Sequence, residues 1–298
     1  LPSLSYTRVG VLMGVGAYTL WGVLPLYLKA LLPLSSSDIL AHRILWSLLL
    51  LGAISLLYQR WPEARAAITA PRTALALVVS TVLIAANWLL YIHAVNSGHA
   101  IQGSLGYFIN PLVNILLGMI FLRERLGRPE TIAVLFAAAG VAALAIAQHA
   151  IPFIPLVIAL TFGLYGLVRK MIGVGPVEGL LVETGLLAPF ALGWLLMGGD
   201  PPPAGSGPLP ALWLLALGGI MTTVPLLLFN GAAQRIRYST LGLLQYIGPT
   251  ITLLIAIWVF GEPLLPIHIL TFGLIWTGLI IYATATWRRG RAAVVVPE

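Results

Sequence analysis

The sequence predicts an all-α integral membrane protein with ten transmembrane helices, arranged as two inverted five-helix repeats around a central cavity. Three observations lead there. Of 298 residues, 59% are hydrophobic and only 8% charged, whereas a soluble domain carries about 25% charged residues to cover its surface. Apolar stretches of spanning length recur from end to end, with a mean hydropathy of +0.99. Landmark residues also repeat at a fixed offset between the two halves.

The elements follow in order. A helix rises about 1.5 Å per residue, so a hydrocarbon core of about 30 Å takes roughly 20 apolar residues. The first such segment, 9–29, follows Arg8 and ends at Lys29. Pro33 and Ser35-Ser36-Ser37 supply the turn before the second, 38–58. Arg60, Arg65 and Arg72 mark the polar connection to the third, 74–95. Asn96-Ser97-Gly98 turns the chain into 100–122, and Arg123, Arg125 and Arg128 separate that span from 130–147. Pro152 and Pro155 open the sixth, 154–170, which ends on Arg169 and Lys170. The seventh is 177–197, and Gly199-Asp200-Pro201-Pro202-Pro203 parts it from the eighth, 210–231. Arg235 and Arg237 lead into 239–261, and the last span, 266–287, runs into Arg288, Arg289 and Arg291. A membrane β-barrel would need short alternating segments, which the sequence lacks.

Charge placement orients the bundle. The even-numbered connections and both tails hold 14 of the 16 basic residues, leaving Lys29 and Arg43 toward the other side. The positive-inside rule then places both termini in the cytoplasm, with the protein multi-pass in the cell (inner) membrane. The net charge of +7 does not suggest nucleic-acid binding, because the basic residues stand singly or in short groups between apolar spans. The absence of cysteine excludes disulfides and thiolate metal sites. The first apolar stretch runs straight into a spanning pattern, so no cleavable leader is expected. Hydrolase, metalloprotease and phosphate-loop signatures are missing, so neither an enzyme nor a cofactor or metal centre is expected.

Pro111 and Pro249, Glu124 and Glu262, and Gly140 and Gly278 are each 138 residues apart. Leu105/Leu243 and Ile109/Ile247 keep that register, and Leu20-Trp21-Gly22 pairs with Leu164-Tyr165-Gly166 at 144. The halves, 1–149 and 150–298, each carry five spans. Five is odd, so the second half must lie upside down relative to the first. Inverted repeats of this kind are the architecture of secondary transporters, with the site between the halves near the midplane.

Specific stretches add a resemblance. Ala17-Tyr18-Thr19-Leu20-Trp21-Gly22 with Pro25, Tyr27 and Lys29 is one, and His42-Arg43-Ile44-Leu45-Trp46-Ser47 is another. Asn87-Trp88 with Tyr91 follows, then Ser104-Leu105-Gly106-Tyr107-Phe108-Ile109-Asn110-Pro111-Leu112 with Glu124-Arg125-Leu126. In the second half come Tyr165-Gly166-Leu167 with Arg169-Lys170, then Glu183-Thr184. Leu244-Gln245-Tyr246-Ile247-Gly248-Pro249-Thr250 with Phe260-Gly261-Glu262 completes the set. Over nearly the whole chain this resembles the drug/metabolite transporter superfamily, in its EamA/RarD branch. The resemblance implies a ten-helix carrier, with relatives that include YddG-like exporters of aromatic and other neutral amino acids and exporters of drugs or metabolites.

Candidate site residues are those that are costly inside a membrane. An ionised group at mid-bilayer costs at least ~2.5 kcal/mol on insertion scales. His42 and Arg43 lie about a turn into the second span, and Glu183 about two turns into the seventh, at equivalent repeat depths on opposite sides. Arg43 or Glu183 is expected to hold a substrate charge or form a gate ion pair, the alternative being a structural tether. Pro111 and Pro249, beside Asn110 and Gly248, should bend or break their helices and act as hinges. Trp21, Asn87, Tyr91, Tyr107, Asn110, Tyr165, Gln245 and Tyr246 supply amides and aromatic faces at the same depths, suited to a zwitterion with an apolar body. Glu124 and Glu262 are expected to cap or tether neighbouring helices. The function expected is secondary export of small amphiphilic metabolites, foremost neutral or aromatic amino acids, by alternating access. The alternatives are drug or xenobiotic export, and a lipid-handling membrane protein or enzyme. The expected partners are the small-molecule substrate and the bilayer. Ten spans can enclose a path without a second subunit, so a monomer is expected.

Overall fold

The computed structural model describes residues 6–31, 34–96, 100–147, 153–199, 212–261 and 263–292, with the side chains of 91–96, 100–105 and 286–292 outside that description. The helices are α1 (Tyr6–Ala30), α2 (Ser36–Leu57), α3 (Trp61–Thr69), α4 (Pro71–Asn96), α5 (Ala100–Phe121) and α6 (Arg128–Ala147). The second half continues with α7 (Phe153–Met171), α8 (Pro176–Leu196), α9 (Leu212–Arg235), α10 (Tyr238–Leu244), α11 (Ile247–Trp258) and α12 (Pro266–Ala292). Every one of the ten expected spans falls on a helix, with α10 and α11 together making the ninth.

The second span begins where the serine run suggests. Ser35 is the N-cap of α2, and its hydroxyl accepts the Asp38 amide at 3.1 Å, satisfying a donor that the helix itself cannot. The sequence reading did not foresee α3. It is a short helix with Pro62 in its first turn, buried only through Ala64 and Ala67. Its contacts are with α4 and α8.

Contacts between helix ends define two faces. At the face where α1 begins, the Tyr6 hydroxyl donates to the Gln234 carbonyl at 3.4 Å, beside the end of α9. The Glu124 carboxylate, beyond α5, accepts the Tyr238 and Ser239 amides at 2.6 and 2.9 Å and so caps the start of α10. Arg237 lies 3.6 Å from Glu130 at the start of α6, and Arg60 lies 3.7 Å from Glu178 at the start of α8. Arg60 and Arg237 make this the basic face of the bundle. At the opposite face, the Tyr27 hydroxyl donates to the Leu214 carbonyl at 3.1 Å, and the Trp194 indole donates to Asp38 at 3.0 Å. Successive spans therefore run in alternating directions, and each helix runs opposite to its repeat counterpart.

The packing is symmetric under exchange of the halves. α1 packs on α9 as α7 packs on α4; α5 packs on α7 as α11 packs on α1; α2 packs on α9 as α8 packs on α4. α2 meets α8, α5 meets α10 and α6 meets α12, each helix pairing with its own counterpart. These contacts all cross between the halves, so the two repeats interleave in one bundle. The α6–α12 crossing shows the symmetry atom by atom. A Cβ on Gly140 would lie 2.8 Å from the Thr271 carbonyl oxygen, and one on Gly278 would lie 2.7 Å from that of Ala133. Both relations carry the 138-residue offset, since Ala133 is the counterpart of Thr271 as Gly140 is of Gly278. Only a residue without a side chain lets two helix backbones approach this closely.

Pro111 and Pro249 differ in effect. α5 remains one helix through Pro111. The ninth span is interrupted at Gln245-Tyr246, and Pro249 becomes the third residue of α11. There its missing N–H is one that no helical carbonyl awaited, so the break accommodates the ring.

Candidate functional site

Aromatic rings gather where α1, α7 and α9 meet. Trp21 lies with its ring centroid 5.7 Å from each of Tyr18, Phe162 and Phe229. Phe162 and Phe229 are 5.2 Å apart, and Tyr165 stacks on Phe229 at 6.4 Å with 14° between planes. Trp21 and Tyr165, which correspond in the repeat, thus share one cluster.

On the basic-face side of these rings lies a polar network. The Ser80 hydroxyl, on α4, donates to Glu183 Oε1 at 2.5 Å, and the Tyr165 hydroxyl donates to Oε2 at 3.2 Å. Asn230 Nδ2, on α9, donates to the Tyr165 oxygen at 3.0 Å. Arg169 Nε lies 3.5 Å from Glu183 Oε1, and the two side chains are 0% and 2% exposed. Arg169 Nη2 donates to the Gly175 carbonyl at 3.2 Å. A side chain at Gly179 would occupy the guanidinium's position, so that glycine makes the space for it. Arg169 is therefore buried against Glu183 rather than standing as a solvated marker at the membrane edge. It shares the face of α7 that carries Ile158, Phe162 and Tyr165. Its Nε and Nη1 make no hydrogen bond, nor does Asn230 Oδ1. Each buried polar group left unbonded costs about 1–3 kcal/mol, more when charged.

The seam between α7 and α9 is closed beside this network. Lys170 Nζ donates to the carbonyls of Ala233 and Ile236, where the end of α9 presents its negative pole. Gln234 Nε2 donates to the Val174 carbonyl at 2.6 Å.

A second polar group holds α5 against α7 and the α10–α11 turn. Asn110 Nδ2 donates to the Ala159 carbonyl at 2.7 Å, and Asn87, on α4, donates to the neighbouring Ile158 carbonyl at 2.8 Å. A carbonyl has two lone pairs, so it can accept a side-chain donor in addition to its helical one. Asn114 Nδ2 reaches both Asn110 Oδ1 at 3.1 Å and Gln245 Oε1 at 2.9 Å. The Tyr246 hydroxyl donates to the Phe108 carbonyl at 3.3 Å, and these two residues are themselves repeat counterparts.

Of the expected site residues, the structure brings Trp21, Tyr165 and Glu183 together, and separately Asn110, Gln245 and Tyr246. Asn87, on α4, bonds the α7 backbone at Ile158, next to the carbonyl that Asn110 bonds. Tyr107 is half-buried on α5, and the Tyr91 side chain and Glu262 lie outside the described residues. His42 and Arg43 sit near the opposite face, where Arg43 Nε donates to Thr222 at 2.7 Å. Glu183 takes its counter-ion from Arg169, not from Arg43. Sequence reasoning missed Ser80, Arg169 and Asn114 as site residues. Asn114 had a usable signal, lying one helical turn beyond Asn110. Among the described residues, no three histidine or carboxylate side chains converge as a metal site requires.

Ten alternating spans in two interleaved, inverted halves around a buried polar and aromatic centre define a multi-pass membrane transporter. The profile of the EamA-like transporter family fits residues 8–146 and again 150–284, and the chain belongs to that family, within the drug/metabolite transporter superfamily. Protein RarD of Escherichia coli K12 is 44% identical over 278 residues, covering 93% of this chain and 94% of its own. An uncharacterised transporter of Vibrio cholerae is 40% identical over 296 residues, 98% of this chain and 97% of its own. A solved crystal structure shares the fold at a TM-score of 0.72 and 18% identity, over 91% of this chain and 96% of the other. The chain is thus a membrane transporter rather than an enzyme.

Proposed function

We propose that this transporter is a secondary carrier of the inner membrane, both termini cytoplasmic, that exports neutral and foremost aromatic amino acids by alternating access. The observation that carries the reading is the chemistry of the buried centre. Amides (Asn110, Asn114, Gln245, Asn230), phenols and aromatic rings predominate there, and the one carboxylate, Glu183, has its counter-ion in Arg169. Such an interior has little net charge to offer an ion. It has hydrogen-bond partners for both ends of a zwitterion, and ring faces for an apolar or aromatic side chain. Alternating access is supported by the interleaved inverted repeats, in which one rearrangement of the helices closes one face as it opens the other.

The test is uptake by proteoliposomes of a panel of labelled amino acids. Phenylalanine, tyrosine, leucine, glutamate and lysine cover the charge and shape classes. The expected result is saturable uptake of the neutral members, with the aromatic ones preferred. Uptake of glutamate or lysine alone, or of none of the five, refutes the reading.

A further inference from the structure

Arginine carries five N–H donors. Arg169 is 0% exposed, yet three of those donors, on Nε and Nη1, are without a hydrogen bond. Among the described residues its guanidinium donates to the Gly175 carbonyl alone, and Glu183 stands beside Nε at ion-pair distance. Glu183 Oε1 accepts from Ser80 and Oε2 from Tyr165, and Arg169 Nε faces Oε1 at 3.5 Å without making a hydrogen bond. A purely structural ion pair in a membrane interior gains from filling every donor, and here the donors are left open. The same network holds the complementary opening. Asn230 bonds the Tyr165 oxygen through Nδ2, while its Oδ1 accepts nothing.

We propose that Arg169 binds the substrate's carboxylate, and that Asn230 Oδ1 with Glu183 receives its ammonium group. This deepens the amino-acid reading above and rests on it. Nη1 presents two open N–H groups, charge-assisted donors of the kind that hold a carboxylate. One hydrogen-bonded step away, across Tyr165, an uncharged acceptor and a carboxylate suit an ammonium. Tyr165 also forms the edge of the aromatic cluster, which places Phe229, Phe162 and Trp21 where the substrate's side chain would lie. The recognised class is an α-amino acid with an apolar or aromatic side chain. Gly179 is part of this site, since any side chain there would displace the guanidinium. Entry requires parting α7 from α9, the seam closed by Tyr165–Asn230, by Lys170 on the carbonyls of Ala233 and Ile236, and by Gln234 on Val174. Parting it also frees Tyr165 and Asn230 Nδ2 for the ligand.

The experiment compares two solutes that differ by one carboxylate, labelled phenylalanine and labelled 2-phenylethylamine, in proteoliposomes of the parent, Arg169→Gln and Arg169→Lys. The parent should take up phenylalanine at least tenfold faster than the amine. Arg169→Gln should lower phenylalanine uptake tenfold or more and abolish the parent's preference for phenylalanine over the amine. Arg169→Lys, which keeps the charge but loses the guanidinium's donors, should raise the phenylalanine KM by a larger factor than that of the amine. It serves as the test where the glutamine variant does not assemble. An equal fall for both solutes in these variants makes Arg169 structural and overturns the proposal, as does unchanged phenylalanine uptake. Equal uptake of the two solutes by the parent overturns the role of Arg169 while leaving amino-acid transport standing. A parent that carries no amino acid refutes the reading beneath it, and that is visible in the parent vesicles alone.

Discussion

The α6–α12 crossing offers a test of the repeat architecture that does not depend on the substrate. Substituting alanine at Gly140 puts a Cβ 2.8 Å from the Thr271 carbonyl oxygen, and at Gly278 it puts one 2.7 Å from that of Ala133. Close C···O contacts between helices settle near 3.3–3.6 Å, so each substitution forces the helices apart by about 0.5–0.9 Å at that point. Overpacking of this size costs about 1–3 kcal/mol. The two sites face each other across one interface, and a separation that accommodates one Cβ largely accommodates the other. The double variant should therefore lose clearly less than the sum of the singles, with a coupling of roughly 1 kcal/mol. Gly273→Ala, on α12 but with nothing within 4 Å of the added carbon, is the control and should shift stability by less than about 0.5 kcal/mol. The assay is equilibrium unfolding in mixed micelles, where about 1.4 kcal/mol appears as a tenfold change in the folded-to-unfolded ratio. Two near-equal, sub-additive losses support a symmetric crossing. A loss at one glycine only, or strict additivity, refutes the symmetric contact.

Three further outcomes are expected. Pro111→Ala and Pro249→Ala should each reduce transport more than they reduce folded protein in the membrane, because they share a repeat position with polar residues, Asn110 and Gln245, close by; parent-rate transport in both makes the prolines features of shape alone. Reporters fused after Arg291 should read as cytoplasmic and tags within 198–208 should react with external reagent in intact cells; a protected 198–208 tag contradicts the orientation. With equal pH on both sides, substrate flux should proceed while a luminal pH dye stays level, since Glu183 already has a buried counter-ion in Arg169. Stoichiometric proton movement that disappears in Glu183→Gln would instead identify Glu183 as a coupling group.

Much of the fold was legible because bilayer thickness imposes a length that recurs along the chain. Helix ends followed local chemistry, as at the start of α2, with Ser35 as its cap and Asp38 in its first turn. The short helix α3 was not legible. Its nine residues include Pro62, Glu63 and Arg65 and carry no spanning signal, and it is held by tertiary contact through Ala64 and Ala67. The site was legible by residue type but not by partner. Glu183 stood out as an expensive charge, and its repeat depth suggested a relation to His42 and Arg43 across the membrane. The counter-ion proved to be Arg169, which beside Lys170 reads as a basic pair at a span end. Successive helical residues point about 100° apart, so neighbours in sequence went to different places: Arg169 inward with Tyr165 and Phe162, Lys170 to the end of α9. The different fates of Pro111 and Pro249 were likewise hidden, because equal repeat positions do not fix whether the preceding turn stays helical.

Counterflow is the measurement that bears most directly on the carrier mechanism. Proteoliposomes are loaded with a high concentration of unlabelled phenylalanine and diluted into a trace of the labelled form. A carrier with one site exposed alternately to each face should accumulate label transiently above its external concentration, then release it as the unlabelled gradient decays. Label that only approaches equality with the medium, at a rate indifferent to the internal load, contradicts alternating access in this protein.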